Sequence, residues 1–113
     1  PVITQGFIAG DIHKNTVTLG REGSDYSAAI IASILNAEEV VLFKDVDGIY
    51  DFDPKKNDLA VKYDFLSYDN LSVILDKGCN VVHHKTIKPL SDNNIVLKIK
   101  NFNNPEEGGT VIK

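Results

Sequence analysis

The stretch Gly20-Arg21-Glu22-Gly23-Ser24-Asp25-Tyr26-Ser27-Ala28-Ala29-Ile30-Ile31-Ala32-Ser33-Ile34-Leu35-Asn36, with Val40-Val41-Leu42-Phe43-Lys44-Asp45 behind it, decides the fold class. Its first six residues are a glycine-bearing loop that opens a helix. Ser24 is a good N-cap, residues 26–35 are rich in alanine and isoleucine, and Asn36 suits a helix stop. Apolar residues cover most of the circumference, which predicts a largely buried helix. Residues 40–43 are a continuous apolar run, the pattern of a parallel strand covered on both faces. Upstream, residues 2–8 read as a strand, residues 10–15 as a polar turn, and residues 16–19 as the returning strand of a hairpin. Strand, glycine loop, helix, strand is an α/β order.

Further along, Asp47-Gly48 and Asp53-Pro54 are turn signals. Ser67 or Asp69 caps a helix that runs through Asp76 and stops at Gly78. Residues 83–92 are a candidate second short helix, whose interior Pro89 would disrupt unless the helix begins late. Residues 95–100 start apolar and then alternate with charge, as a half-exposed strand does, and residues 110–112 form a last short strand after an Asn-, Pro- and Gly-bearing loop. Tyr63, Phe65 and Tyr68 are expected in or over the core.

The chain has 113 residues, 42% hydrophobic and 25% charged, which is a soluble globular composition of at most one domain. A net charge of −4 argues against a general grip on nucleic acid. The longest apolar run, residues 28–32, is too short to span a bilayer. The single cysteine, Cys79, has no disulfide partner in the chain, and no Cys/His cluster has zinc spacing. The chain begins with Pro1 and holds no methionine, so it is expected to be a piece of something longer.

Two segments offer chemistry. Arg21 is the only arginine against eleven lysines, and it stands just ahead of a helix N-terminus. Its fork suits a carboxylate or phosphate, and the free N–H groups behind it favour an anion. Gly20 and Gly23 let a ligand approach, and Ser24 and Asp25 add a hydroxyl and a carboxylate. The plainer alternative is that Ser24 caps, Asp25 complements the helix dipole, and Arg21 is a surface charge. The second segment is Lys44-Asp45-Val46-Asp47-Gly48-Ile49-Tyr50-Asp51-Phe52-Asp53-Pro54, at the C-terminal end of the expected parallel strand, where open α/β sheets bind ligands. A calcium loop fails here: aligning Asp45, Asp47 and Gly48 puts Phe43 at position one and Pro54 at position twelve. Magnesium, or Lys44, Lys55 and Lys56, would let a nucleotide sit among these aspartates; a solvated acidic turn is the alternative. His83-His84 is a weak metal pair, because adjacent residues on one element face different ways. A P-loop pattern is missing.

Taken together, the segments closely resemble the aspartokinase family. Thr18-Leu19-Gly20-Arg21-Glu22-Gly23-Ser24-Asp25-Tyr26-Ser27-Ala28 is similar to its T-L-G-R-x-G-S-D-x-(S/T)-A. Asp45-Val46-Asp47-Gly48-Ile49-Tyr50 with Asp53-Pro54 resembles D-V-x-G-(I/V)-Y-x-x-D-P. Ser67-Tyr68-Asp69 and the set Gly78, Val81, Val82, His83 follow in register, as does the tail from Lys100 to Thr110.

The resemblance implies a three-layer α/β/α sandwich, the amino-acid-kinase (carbamate/acetylglutamate kinase-like) fold, here as a partial domain. Residues 1–113 would be its C-terminal, nucleotide-binding part, without the N-terminal part and the ACT domains. It implies a kinase that uses ATP, with Mg2+ carried on the nucleotide phosphates and no metal held by protein ligands alone. L-aspartate would be the acceptor and 4-phospho-L-aspartate the product, at the start of lysine, threonine and methionine biosynthesis. Arg21 would pair with a substrate carboxylate, helped by Phe7, Thr18 and Ser24, and Asp25 would be the catalytic carboxylate. Lys44, Asp45, Gly48, Tyr50, Asp53, Lys55 and Asn80 would surround the nucleotide. Many members carry Thr, Arg and Lys where this chain has Lys44, Lys55 and Asn80. The resemblance further implies a cytoplasmic, homo-oligomeric parent with neither nucleic-acid nor membrane partners, and an isolated chain without activity. Another amino-acid kinase and a non-catalytic nucleotide-binding module are the alternatives.

Overall fold

The computed structural model describes residues 8–18, 23–52 and 55–113. Strands β1 (Ile8–Gly10) and β2 (Thr16–Thr18) form the expected hairpin, paired antiparallel with Ile8 opposite Thr18. The expected strand over residues 2–8 otherwise lies outside the described residues. The hairpin turn is built on Asp11, whose carboxylate accepts the N–H groups of Asn15 and His13 at 2.9 and 2.8 Å. These bonds, the one from Asn15 first, hold the Asp11 carboxyl below its ordinary pKa.

Helix α1 (Gly23–Leu35) starts earlier than the sequence suggests. Ser24 is therefore inside its first turn, exposed, and not its N-cap. The helix ends as expected at Asn36, which takes φ +51°, while the Ala37 N–H returns to the Ala32 carbonyl at 3.0 Å. Its buried face is made of small residues, Ala29 and Ala32 among them, which lets it lie close to its neighbours. Ile34 and Leu35 are exposed, so apolar composition overstated its burial.

Strand β3 (Glu39–Lys44) lies parallel to β5 (Val96–Asn101), with Lys44 beside Asn101. β5 pairs antiparallel with β6 (Thr110–Ile112), and β6 pairs parallel with β4 (Phe65–Leu66), so the sheet order is β3-β5-β6-β4. Register sorts the side chains by face. Val40, Leu42, Leu97, Ile99, Ile112 and Leu66 share the face that is packed in the core. Phe43 and Phe65 fall on the other face and are exposed, which corrects two expectations. β3 is not covered on both faces here, and Phe65 is not core.

Helix α2 (Tyr68–Asp76) follows its local signals. The Ser67 side chain accepts the Asn70 N–H at 3.1 Å, and Gly78 takes φ +104° as the chain leaves the helix. A 3-10 turn (His84–Thr86) runs into α3 (Ile87–Asp92). Pro89 thus falls in the first turn of α3, the late start that its missing N–H demands. α1, α2 and α3 close over one core with the sheet, in which Leu71, Leu90, Ile95, Leu97 and Ile99 are essentially fully buried. Tyr68 is buried as expected and donates its hydroxyl to the Ile95 carbonyl. Burial lifts its phenol to a pKa of about 12.

Candidate functional site

The C-terminal ends of β3 and β5 lie side by side, where open α/β sheets hold ligands. Strand alternation puts Lys44 on the same face as Leu42, turned toward the helices. Its Nζ donates to both carboxylate oxygens of Asp25, each at 2.7 Å. Asp25 is the third residue of α1, where a carboxylate suits the helix dipole. Its side chain is 4% exposed and that of Lys44 is 19% exposed. A carboxylate so buried needs a partner, because stripping water from an isolated charge costs several kcal/mol (roughly).

A third element joins this pair. The His83 backbone N–H donates to Asp25 Oδ2 at 3.3 Å, and the His83 ring stacks on Tyr26 with centroids 6.3 Å apart. The Phe102 N–H donates to the Lys44 carbonyl at 2.9 Å, which ties the exit from β5 to the end of β3. Asp25 is thus where α1, β3 and the approach to the 3-10 turn converge.

Beyond Lys44 the acidic loop is held in place. Asn101 Nδ2 donates to Asp47 Oδ1 at 2.9 Å. The Ile49 N–H donates to Thr110 Oγ1 at 2.9 Å, and that hydroxyl donates in turn to the Tyr63 carbonyl at 2.6 Å. Gly48 is buried against this clamp: a Cβ there would lie 2.5 Å from Thr110 Oγ1. The Asp51 carboxylate accepts the Val61 N–H at 2.7 Å, and the backbones of Tyr50 and Lys62 pair in a single antiparallel β-bridge. Burial, and after it the charge of Asp47, raises the Tyr50 phenol above its ordinary pKa.

Read from sequence, these residues have separate roles, Asp25 as the catalytic carboxylate and Lys44 toward the nucleotide. The structure joins them in one ion pair. Asp45, Lys55 and Asn80 are exposed, Tyr50 is half-buried, and Ser24 faces solvent one residue before Asp25. Thr18 is placed in β2 by its backbone, and its side chain lies outside the description. Phe7, Arg21 and Asp53 lie outside the described residues. Three contributors were given no site role from sequence: His83, weighed as a weak metal ligand and as part of a family motif, and Asp47 with Asn101. Asp47 was visible in the acidic run, but its partner is 54 positions away. Among the described residues, no group of three or more His, Cys, Asp and Glu side chains gathers around one point, and no helix is long and apolar enough to cross a membrane.

The family model described as the amino acid kinase family matches residues 1–101. The chain is 41% identical over 111 residues to the chloroplastic bifunctional aspartokinase/homoserine dehydrogenase 2 of Arabidopsis thaliana, covering 98% of this chain and 12% of that protein. It is 37% identical over 111 residues to lysine-sensitive aspartokinase 3 of Escherichia coli, covering 98% of this chain and 25% of that one. Among solved structures, E. coli aspartokinase III in complex with aspartate and ADP superposes with a TM-score of 0.90 at 35% identity, over 96% of this chain and 24% of that chain. UMP kinase from Ureaplasma parvum shares the fold with a TM-score of 0.68 at 26% identity, over 80% of this chain and 41% of that one. The chain therefore spans a quarter or less of the length of these aspartokinases.

Proposed function

The chain belongs to the amino acid kinase family, and from that premise we propose that it is the nucleotide-binding part of an aspartate kinase's catalytic domain. The observation that carries this reading is the superposition on aspartokinase III over 96% of the chain, in a structure whose ligands are aspartate and ADP. The ion pair at the strand ends supports it, since it sets a cation where a phosphate would arrive. In the reaction, a side-chain carboxylate oxygen of L-aspartate attacks the γ-phosphorus of ATP. The bond from that phosphorus to the bridging oxygen breaks, and ADP leaves with the electron pair. The product is 4-phospho-L-aspartate.

The acceptor carboxylate is ionised at neutral pH, so no base is needed to activate it. The protein's work is to position two anions and neutralise their charge. Arg21 is assigned to a carboxylate of the substrate, with Phe7, Thr18 and Ser24 around it, and Asp25 to orienting the reacting groups. Lys44, Asp45, Gly48, Tyr50, Asp53, Lys55 and Asn80 are assigned to the nucleotide. Mg2+, carried on the nucleotide phosphates, would offset their charge. The parent is read as a cytoplasmic homo-oligomer.

Calorimetric titration of the chain with Mg-ATP tests the assignment. Binding is expected, and Asp45→Ala is expected to abolish it. Binding that Asp45→Ala leaves untouched would overturn the placement of the nucleotide at the end of β3. The chain alone is expected to form no aspartyl phosphate, and formation by the purified chain would overturn its reading as one part of a larger cleft.

A further inference from the structure

Asn101 closes β5 beside Lys44, at the mouth where the acidic loop begins. We propose that Asn101 is a positioning residue: through Asp47 it holds the acidic loop so that Tyr50 stands ready for the base of a nucleotide. This rests on the reading of the chain as a nucleotide site and deepens it, with two residues that act through Tyr50 rather than on the ligand.

The side-chain amide of Asn101 is used at both ends. Its Oδ1 accepts the Asn103 N–H at 2.8 Å, and its Nδ2 donates to Asp47 Oδ1 at 2.9 Å. The first bond fixes the second. A backbone N–H can only donate, so the oxygen end faces Asn103 and the NH2 end is left for Asp47. Asn101 is itself anchored. Its backbone stands in the ladder with β3, its carbonyl accepts the Asn104 N–H at 3.1 Å, and the N–H of Phe102 reaches the Lys44 carbonyl at 2.9 Å. The strut therefore runs to the loop from a rigid strand end.

At its far end the strut meets Tyr50. After burial, Asp47 acts most on the Tyr50 phenol, through its charge and through hydrogen bonding. A carboxylate suits position 47, since it accepts from an amide and from a phenol at once. The Tyr50 backbone is held separately. It bridges Lys62, the Tyr63 N–H donates to the Ile49 carbonyl at 2.8 Å, and the Asp51 N–H donates to the Val61 carbonyl at 3.1 Å. Backbone and phenol are thus fixed by different partners, which leaves the ring little freedom to lose on binding. An aromatic ring offers a base its face, a contact that needs no particular hydrogen-bonding pattern.

The test reads the Tyr50 phenol by NMR across the alkaline range, and titrates Mg-ATP and magnesium triphosphate by calorimetry. Asn101→Leu removes the amide and releases Asp47, so the Tyr50 phenol should ionise at lower pH than in the parent chain. Mg-ATP should weaken about tenfold, and triphosphate, which has no base, by less than about twofold. Should Asn101→Leu fail to fold, Asp47→Ala cuts the same bond from the loop side, with the same outcomes expected. Asp47→Asn keeps an acceptor for Asn101 without the charge. Its phenol should also ionise earlier, while Mg-ATP weakens less than in Asn101→Leu. Leu71→Ala, a loss in the core under α2, should leave the phenol in place. A phenol unmoved by Asn101→Leu, or moved as far by Leu71→Ala, would overturn the inference. So would an Asn101→Leu variant that binds Mg-ATP as the parent does, or that loses triphosphate equally. A parent chain that binds no Mg-ATP would overturn the nucleotide reading instead, and the phenol alone would then decide whether Asn101 sets Tyr50.

Discussion

Replacing Thr110 with valine probes the clamp that holds the acidic loop against the sheet. Thr110 is completely buried and its hydroxyl serves two backbone groups, accepting from Ile49 N–H at 2.9 Å and donating to the Tyr63 carbonyl at 2.6 Å. Valine has nearly the same shape but neither function. Thr110→Val strands a donor on Ile49, which is 0% exposed, and an acceptor on Tyr63. Each orphaned group costs about 1–3 kcal/mol, and the added methyl returns about 0.8 kcal/mol by burial. The expected net loss is about 3 kcal/mol, a large part of the stability of a small domain. In urea denaturation followed by far-UV circular dichroism, an m-value of about 2 kcal/mol/M turns this into a fall of about 1.5 M in the midpoint. Thr110→Ser is the control, because it keeps the hydroxyl and sacrifices one methyl, about 1 kcal/mol. A Val variant as stable as the Ser variant would refute the argument, for it would show that the hydroxyl's two bonds hold nothing in place.

Two further outcomes are expected. Leu71 is 0% exposed in the core under α2, so Leu71→Ala should lose about 2–5 kcal/mol in the same assay; a loss below about 1 kcal/mol would mean that the site collapses around the smaller side chain. Tyr68, lifted to about 12 in the fold from the ordinary 10.0, ionises in the unfolded chain first, so stability is fully present below pH 10 and is lost as pH rises toward 12. Tyr68→Phe should flatten that alkaline limb while lowering stability at neutral pH, through the loss of the bond to the Ile95 carbonyl; an unchanged alkaline limb would assign the pH dependence elsewhere.

Local chemistry was legible wherever a signal and its consequence are close in sequence. Ser67 and Gly78 marked both ends of α2, Asn36 ended α1, and Pro89 delayed α3, because caps, left-handed turns and a missing N–H act within one turn of helix. The parallel strand ending at Lys44 was readable as an apolar run. Its one-sided exposure at Phe43 was not, because an apolar pattern does not say which neighbours will cover it. β4 has two residues, too few to show any period, and exists through its pairing with β6.

The candidate site divides along the same line. Sequence by itself placed Asp25 at the start of a helix, Lys44 at the end of a strand and an acidic turn after it, since residue type and spacing carry that much. It also carried the family, through motifs in register. Only the tertiary structure decided that Asp25 and Lys44, 19 positions apart, form one part-buried pair, and that Thr110 reaches back 61 positions to hold Ile49. The reason is physical: strand register and helix packing set which distant groups meet, and a charge or hydroxyl removed from water then takes whichever partner that packing delivers.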